Sequence, residues 1–164
     1  MRKPRTEQEA LATLAALCSQ AEHCEKEMTD KMDKWEMTPE AQERVMNYLK
    51  KEKFVDEERY ARAFARDKIR YNKWGRRKVE QALYMKRIPK DISCRVLDEM
   101  EEDMYVDILR PLLQQKRKST RAKSGYELRT KLIRFALQRG FTMDVINQCL
   151  DTDDCEGADE EWED

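Results

Sequence analysis

Glycine, proline and histidine are scarce in this sequence of 164 residues, which has four glycines, four prolines and one histidine. So few turn-forming residues leave little material for the many tight turns of a β-rich fold. No apolar run approaches the roughly 18 residues that a membrane-spanning helix needs. The first residues, MRKPRTEQE, lack the apolar core of a signal peptide. We therefore expect a cytoplasmic protein that makes no membrane contact.

The residues that carry chemistry do not form a catalytic or metal-binding pattern. The five cysteines are widely spaced and include no C-x-x-C pair, which favours reduced thiols over a disulfide framework. The single histidine, His23, is next to Cys24, and adjacent side chains of a helix point about 100° apart. A metal site needs several converging ligands, and an acid–base pair must be held in a cleft. We therefore expect a binding protein that is not an enzyme and needs no cofactor.

Charge is abundant, and its two signs are segregated along the chain. Charged residues make up 41% of the sequence, yet the formal net charge is only −1. Nine of the 34 acids lie in residues 151–164, DTDDCEGADEEWED, which contain no lysine or arginine; the other 25 acids face 33 bases, a net charge of +8 for residues 1–150. Such an acidic tail is typical of a solvated, disordered end. The alternative is that it competes with an anionic partner for the basic body, by folding back on it or by mimicking DNA.

Apolar residues recur at helical spacing throughout the chain, which predicts an all-α fold. Start signals are explicit at Thr38-Pro39 and at Asp56, and Gly140 is predicted to end a helix. The predicted helices cover about residues 7–26, 25–34, 38–53, 56–71, 76–86, 89–100, 104–118, 126–139 and 142 onwards. Pro111 predicts either a kink in the seventh helix or its true start. Residues 116–125, KRKSTRAKSG, predict a basic and flexible connection.

An internal repeat relates three parts of the chain at offsets of 51 and 53 residues. Without a gap, Met28, Met32, Met37, Ala41 and Val45 superpose on Val79, Leu83, Ile88, Ile92 and Val96, and on Leu132, Ala136, Phe141, Val145 and Cys149. A unit of about 50 residues has a marginal core alone, so we expect three three-helix units that lean on their neighbours. The predicted division is a basic tail at 1–8, repeats at 9–54, 55–102 and 103–150, and the acidic tail at 151–164.

The middle repeat resembles a known protein family. Val55-Asp56-Glu57-Glu58-Arg59-Tyr60-Ala61, followed by Phe64, resembles the most recognisable motif of the RecX family, regulators of the bacterial RecA recombinase. The basic turn at 73–79, KWGRRKV, and Arg139-Gly140-Phe141 are similar to that family's second and third repeats. The resemblance implies an elongated, curved protein of three tandem three-helix repeats. It also implies binding in the groove of a RecA filament on DNA, which would limit strand exchange, filament growth and ATP hydrolysis during DNA repair and recombination and in the SOS response.

Two basic stretches are the predicted contact surface. Residues 68–90 contain nine bases and one acid, and residues 110–139 contain ten bases and one acid, a density that favours phosphates or acidic protein surfaces. The predicted contact residues are Lys68, Arg70, Lys73, Trp74, Arg76, Arg77, Lys78, Lys86, Arg87, Lys116, Arg117, Lys118, Arg121, Lys123, Arg129 and Lys131. Trp74 and Tyr71 could stack on bases, although a tryptophan that closes a helix turn more often packs. No pattern for reading bases is evident, so contact with single- or double-stranded DNA should be to its backbone.

Three hypotheses of different classes follow. The first is a monomeric modulator of RecA filaments, as the resemblance implies. The second is a sequence-independent, helical DNA-binding protein that acts without RecA, and a mobility-shift assay on bare DNA separates it from the first. The third is a structural adaptor for another protein, which a pull-down enriched in neither RecA nor DNA would favour.

Overall fold

The computed structural model describes residues 2–150, which form α-helices and no strand, so the all-α prediction is confirmed for this part of the chain. The acidic tail predicted at 151–164 lies outside the described residues. The helices are α1 Glu7–Gln20, α2 Glu25–Lys34, α3 Pro39–Lys51, α4 Glu57–Arg70, α5 Arg76–Met85, α6 Lys90–Asp98, α7 Glu102–Ser119, α8 Gly125–Gln138 and α9 Met143–Leu150. None of these helices is long and apolar enough to cross a membrane.

Polar caps fix several helix starts, as their side chains accept hydrogen bonds from N–H groups that have no partner within the helix. The Thr38 side chain accepts from the Ala41 N–H (3.2 Å), and Pro39 opens α3. The Asp56 carboxylate accepts from the Arg59 N–H at 3.0 Å, as the sequence predicts for a cap. Ser124 caps α8 in the same way, a position that the sequence reasoning missed.

One predicted helix limit and one predicted connection are wrong, and one of the two alternatives for Pro111 is excluded. The first helix ends at Gln20 rather than near residue 26, because Ala21 is extended and the chain must reach the start of α2 at Glu25. Pro111 lies inside α7 and does not mark its start. The only backbone hydrogen bond that a proline at this position removes is the one to the Asp107 carbonyl, and Asp107 is exposed. The basic connection is shorter than predicted, since α7 continues to Ser119.

The same backbone turn follows the second helix of each repeat. Second helices end at Lys34, Met85 and Gln138, and third helices begin at Pro39, Lys90 and Met143, at the offsets of the sequence repeat. In between, Glu36, Arg87 and Gly140 have positive φ angles of 56°, 57° and 93°. The following residue in each turn, Met37, Ile88 or Phe141, donates its N–H to the carbonyl five residues earlier, always at 3.1 Å. These are Schellman turns, and they confirm that the three segments are structural repeats.

The described residues divide into two compact units. Unit 1 comprises the residues up to Phe64 together with Leu83–Val96, and unit 2 comprises Ala65–Ala82 together with the residues from Leu97 to the end of α9. Unit 1 buries Leu14, Met28, Met32 and Leu49 completely or almost completely. Unit 2 does the same with Ile69, Leu109, Leu132, Phe141 and Ile146. Parts of the middle repeat belong to each unit, which agrees with the expectation that a repeat leans on its neighbours.

Within unit 1, side chains join the start of α2 to the middle repeat. The Cys24 Sγ atom lies 4.0 Å from the Lys86 carbonyl oxygen, and burial raises the pKa of this thiol to about 11. The Glu25 N–H donates to the Glu57 carboxylate at 2.8 Å. Burial also raises the pKa of Glu57 to about 6. Lys86 Nζ also forms an ion pair with Glu27 Oε2, at 3.5 Å. We call this set of contacts between the first and middle repeats the joint of unit 1.

Candidate nucleic-acid and filament interface

Within unit 2, the equivalent joint connects the middle and third repeats, and it is formed by backbone groups instead of side chains. The Gly75 N–H donates to the Arg139 carbonyl at 2.8 Å, and the Arg77 N–H donates to the Gly140 carbonyl at 2.9 Å. Gly75 immediately precedes α5 and Arg77 lies in its first turn, and the two acceptors follow the end of α8. These N–H and C=O groups at helix ends would otherwise have no backbone partner. The positive N-terminal end of the α5 dipole also lies against the negative C-terminal end of the α8 dipole. The joint therefore brings Trp74, which precedes Gly75, next to Arg139.

The side chains of two lysines lie over the ring of Trp74. Lys68 Nζ, from α4, lies 5.1 Å from the ring centroid, and Lys78 Nζ, from α5, lies 4.7 Å from it. A cation at this distance from an indole face is attracted by the ring quadrupole, and the attraction is about 0.5–1 kcal/mol at exposed sites. Trp74 is half-buried. The ring therefore packs in the turn, as expected for a tryptophan that closes a helix, and also concentrates positive charge.

Phe135 has the same arrangement on α8. Lys116 Nζ lies 5.2 Å from its ring centroid, and the Arg139 guanidinium carbon lies 5.1 Å from it. Arg139 also donates from Nη1 to the Asn72 carbonyl at 3.3 Å, two residues before Trp74. Arg139 was not among the predicted contact residues, although it belongs to the second basic stretch. Its place before Gly140, in the family-like Arg-Gly-Phe segment, is the signal that could have identified it.

The joints of units 1 and 2 differ in charge at equivalent positions. Glu27 and Lys86, which pair in unit 1, correspond by the repeat offsets to Lys78 and Arg139 in unit 2. An ion pair of net charge zero is thus replaced by two cations. Each of the two contacts an aromatic ring instead of a carboxylate. Unit 2 therefore presents positive charge at the place where unit 1 neutralises it.

A basic groove lies between the end of α7 and the outer side of α8. Its volume is about 490 Å³, and it is lined by Lys116, Ser119, Thr120, Arg121, Lys131, Arg134, Phe135 and Gln138. None of these described lining side chains is acidic. The hydroxyls of Ser119 and Thr120 both donate to the Lys116 carbonyl, at 3.1 and 2.6 Å. The basic groove is open to solvent and four cations line it, so it suits an anionic ligand.

Several predicted contact residues have acidic partners. Arg76 binds Asp98 at 2.7 Å and lies 3.6 Å from Glu80. Lys131 lies 3.1 Å from Glu127 and donates to the Arg121 carbonyl at 2.7 Å. The Lys123 N–H, followed by the Lys131 ammonium, lowers the pKa of Glu127. Arg76 and Lys131, like Lys86 in unit 1, therefore stabilise the fold as well as contributing charge.

The remaining predicted residues divide by exposure and by unit. Lys73 has a positive φ of 58° and donates to the Arg70 carbonyl at 2.7 Å. Arg87 occupies the Schellman turn of the middle repeat and belongs to unit 1, as does Lys86. The exposed members in unit 2 are Arg70, Lys73, Arg77, Lys116, Lys118, Arg121 and Lys123, and the half-buried ones are Lys68, Trp74, Arg76, Lys78, Arg117, Arg129 and Lys131. The structure thus places fourteen of the sixteen predicted residues in unit 2. In residues 2–150 no cluster of histidines, cysteines or acids could hold a metal ion.

Comparisons with known proteins agree with the repeat architecture. A family model described as "RecX, second three-helix domain" matches residues 56–97, and one described as "RecX, third three-helix domain" matches residues 102–150. A regulatory protein RecX from Finegoldia magna is 32% identical over 126 residues, which cover 76% of this chain and 62% of that protein. One from Oceanobacillus iheyensis is 29% identical over 141 residues, which cover 85% of this chain and 52% of that protein. The chain therefore matches between about half and two thirds of the length of these relatives.

Two crystal structures share the fold. A structure of a regulatory protein RecX superposes with a TM-score of 0.81 at 17% identity and covers 89% of this chain and 73% of the other. RecX from Lactobacillus salivarius superposes with a TM-score of 0.79 at 18% identity and covers 88% of this chain and 94% of the other. At such low identity these similarities show the fold alone.

Proposed function

The chain belongs to the RecX family of regulatory proteins, and from this we propose that it binds RecA filaments on DNA and limits strand exchange, filament growth and ATP hydrolysis. The observation that carries the proposal is the charge difference between the two joints. At positions where unit 1 has the pair Glu27 and Lys86, unit 2 has Lys78 and Arg139. Lys78 and Arg139 lie over aromatic rings and pair with no carboxylate at this joint among the described residues, so their positive charge stays available. They are suited to an anionic partner.

The proposed contact surface consists of the lysines and arginines of unit 2 that are exposed or lie over an aromatic ring. A RecA filament on DNA presents phosphates and acidic protein groups, and both attract lysine and arginine. Contacts would be to the DNA backbone or to RecA, so they would not depend on base sequence. On this proposal the chain acts in the cytoplasm as a monomer without a cofactor, in DNA repair and recombination. The repeat limits at residues 54/55 and 102/103 belong to the same proposal.

RecA-catalysed strand exchange tests the proposal directly. The informative variant is Arg77→Glu with Lys78→Glu, which reverses charge beside Trp74 and leaves the ion pair between Arg76 and Asp98 intact. We expect inhibition to weaken by at least about tenfold in the concentration needed, since two close charges are reversed. The matched control is Lys34→Glu with Lys51→Glu, which makes the same charge change at exposed positions of unit 1. Equal inhibition by both variants would argue against the turn before α5 as the contact.

A second candidate is DNA binding that needs no RecA, and the basic groove favours it because no acidic side chain lines it among the described residues. Its test is a mobility-shift assay on bare single- and double-stranded DNA. If six or more phosphates are neutralised, affinity should fall about a thousandfold between 50 and 200 mM salt. Tight binding to bare DNA, equal to binding in the presence of RecA, would favour this second candidate over the first.

A further inference from the structure

The basic groove contains cations that have no acidic partner within residues 2–150. Arg121 and Arg134 are exposed, and neither forms an ion pair with a described residue. Lys116 contacts the Phe135 ring, and only Lys131 has a carboxylate nearby, that of Glu127. Clustered positive charge of this kind attracts anionic groups. The groove therefore suits an anionic occupant.

The chain leaves α9 beside the helix that forms one wall of this groove. Near the end of α9, the Gln148 carbonyl accepts from Arg110 Nη2 at 3.4 Å, and the Cys149 Sγ atom lies 3.7 Å from the Val106 carbonyl oxygen. Both partners lie in the middle of α7. From Arg110 to Lys116 is six residues, or about 9 Å along the helix axis. Lys116, which lines the groove, is therefore about 9 Å along the axis of α7 from the residue that the end of α9 contacts.

The residues that follow Leu150 have the composition that the basic groove lacks. Residues 151–164 carry nine carboxylates and no base, with Trp162 near their end. Fourteen residues span up to about 46–50 Å when fully extended, several times the axial separation of about 9 Å between Arg110 and Lys116. A segment tethered this close has an effective concentration in the millimolar range at the groove. The charge of residues 151–164, their length and their attachment to α9 therefore all favour binding in the basic groove.

We propose that residues 151–164 occupy the basic groove, with their carboxylates on Arg121, Arg134 and Lys116. While bound, they neutralise the groove and occupy the positions that a phosphate chain or an acidic protein surface would take. An external anionic partner must then displace them, so binding is weaker than the cations alone would allow. This regulatory consequence rests on the proposed function, whereas the intramolecular contact does not.

Zero-length carbodiimide cross-linking of the full chain tests the contact without RecA or DNA. At 50 mM salt and low protein concentration, mass spectrometry should find amide links from the acids of residues 151–164 to Lys116 and Lys131 within one molecule. Replacing Arg121 and Arg134 by alanine should reduce the yield of these links by about fivefold, because two surface charge contacts are lost. Links spread evenly over Lys26 and Lys31 of unit 1, or no intramolecular links, would overturn the proposal.

RecA-catalysed strand exchange tests the proposed regulation by residues 151–164. A full-length variant with Asp153→Asn, Asp154→Asn, Asp159→Asn, Glu160→Gln and Glu161→Gln should inhibit at about tenfold lower concentration at 50 mM salt, and the gain should shrink at 200 mM salt. Unchanged inhibition, with the cross-links to Lys116 and Lys131 present, would reject regulation by this segment. Absence of inhibition by the wild-type chain and the variant alike would instead reject the proposed function and leave the cross-linking result standing.

Discussion

Gly75 lies against the backbone of Gly140 and Phe141, and Gly140 lies against the backbone of Lys78, at the joint between α5 and α8. A Cβ atom at Gly75 would lie 2.3 Å from the backbone nitrogen of Phe141, and one at Gly140 would lie 2.5 Å from the backbone nitrogen of Lys78. Gly140 also has a φ of 93°, which side chains rarely allow. The absence of both side chains permits the short hydrogen bonds that hold the middle and third repeats together within unit 2.

Gly75→Ala should therefore lower the free energy of unfolding by about 3 kcal/mol, because the clashing atoms belong to the backbone and cannot rotate away. Urea denaturation measures the loss. The matched control is Cys24→Ala at the equivalent position of the first repeat, which removes a buried sulfur and should cost only about 1 kcal/mol. Equal losses for the two variants would contradict a backbone contact that is specific to glycine.

Arg87→Gly should stabilise the fold. Arg87 adopts a φ of 57° in the turn where the third repeat has glycine, and the left-handed region costs a residue with a Cβ about 1–2 kcal/mol. Glycine regains that energy but loses about 0.4–1 kcal/mol to the greater freedom of the unfolded chain. We expect a net gain of about 0.5–1 kcal/mol in thermal or urea unfolding. Arg87→Ala removes the same charge and keeps the Cβ, so a gain of equal size there would refute the backbone explanation.

Arg59→Lys should destabilise unit 1. The Arg59 guanidinium binds Glu22 at 2.6 Å and donates to the carbonyls of Lys53 and Phe54, at 2.9 and 3.3 Å. A lysine ammonium is a single point and cannot reach three acceptors arranged for the guanidinium fork. We expect a loss of about 1–2 kcal/mol in unfolding free energy, against less than about 0.5 kcal/mol for the exposed control Arg66→Lys. If the two losses matched, the role of Arg59 in the turn would be disproved.

Glu57→Gln should change how stability depends on pH. The pKa of Glu57 in the folded chain, about 6, lies above its ordinary value of 4.5 because burial disfavours the carboxylate. Well below pH 4.5 the carboxyl is protonated in the folded and unfolded chains alike. As the pH rises from 4.5 through 6, the unfolded chain ionises first and wild-type stability falls. The glutamine variant keeps an acceptor for the Glu25 N–H and does not titrate. Its advantage over wild type in urea unfolding should therefore grow between pH 4.5 and 6 and be constant near pH 7; a pH-independent difference would exclude this burial effect.

Local sequence signals predicted most of the helices and the repeat. The helix starts at Thr38-Pro39 and Asp56 could be predicted, because a capping side chain or a proline ring affects only the next few residues of the chain. The repeated apolar positions are likewise mostly buried, as Met28, Val79 and Leu132 show. The end of α1 was missed because nothing in its composition separates Gln20 from the polar residues that follow. Such ends depend on where the next helix has to start.

The candidate site was predictable only as a density of charge. Sequence reasoning could not separate Lys78, which lies over Trp74, from Arg76, which binds Asp98 22 residues away. It also could not pair Gly75 with Arg139, because a contact across 64 residues leaves no local pattern. Equivalence between repeats supplies the missing signal: once Glu27 is aligned with Lys78, the reversal of charge is visible in the sequence itself.

The shared Schellman turn lies in a segment whose length is constant in all three repeats. First helices have 14, 14 and 18 residues in α1, α4 and α7, and α8 begins four residues earlier than the repeat offset from α5 requires. From the end of the second helix to the start of the third, however, the spacing is identical in all three repeats. The differences in length lie outside the turn: in the first helices, at the start of α8, and in the third helices, which have 13, 9 and 8 residues. Residues 28–45, 79–96 and 132–149 are consequently interchangeable in backbone length, so one could be transplanted into another's place without shifting the helix that follows.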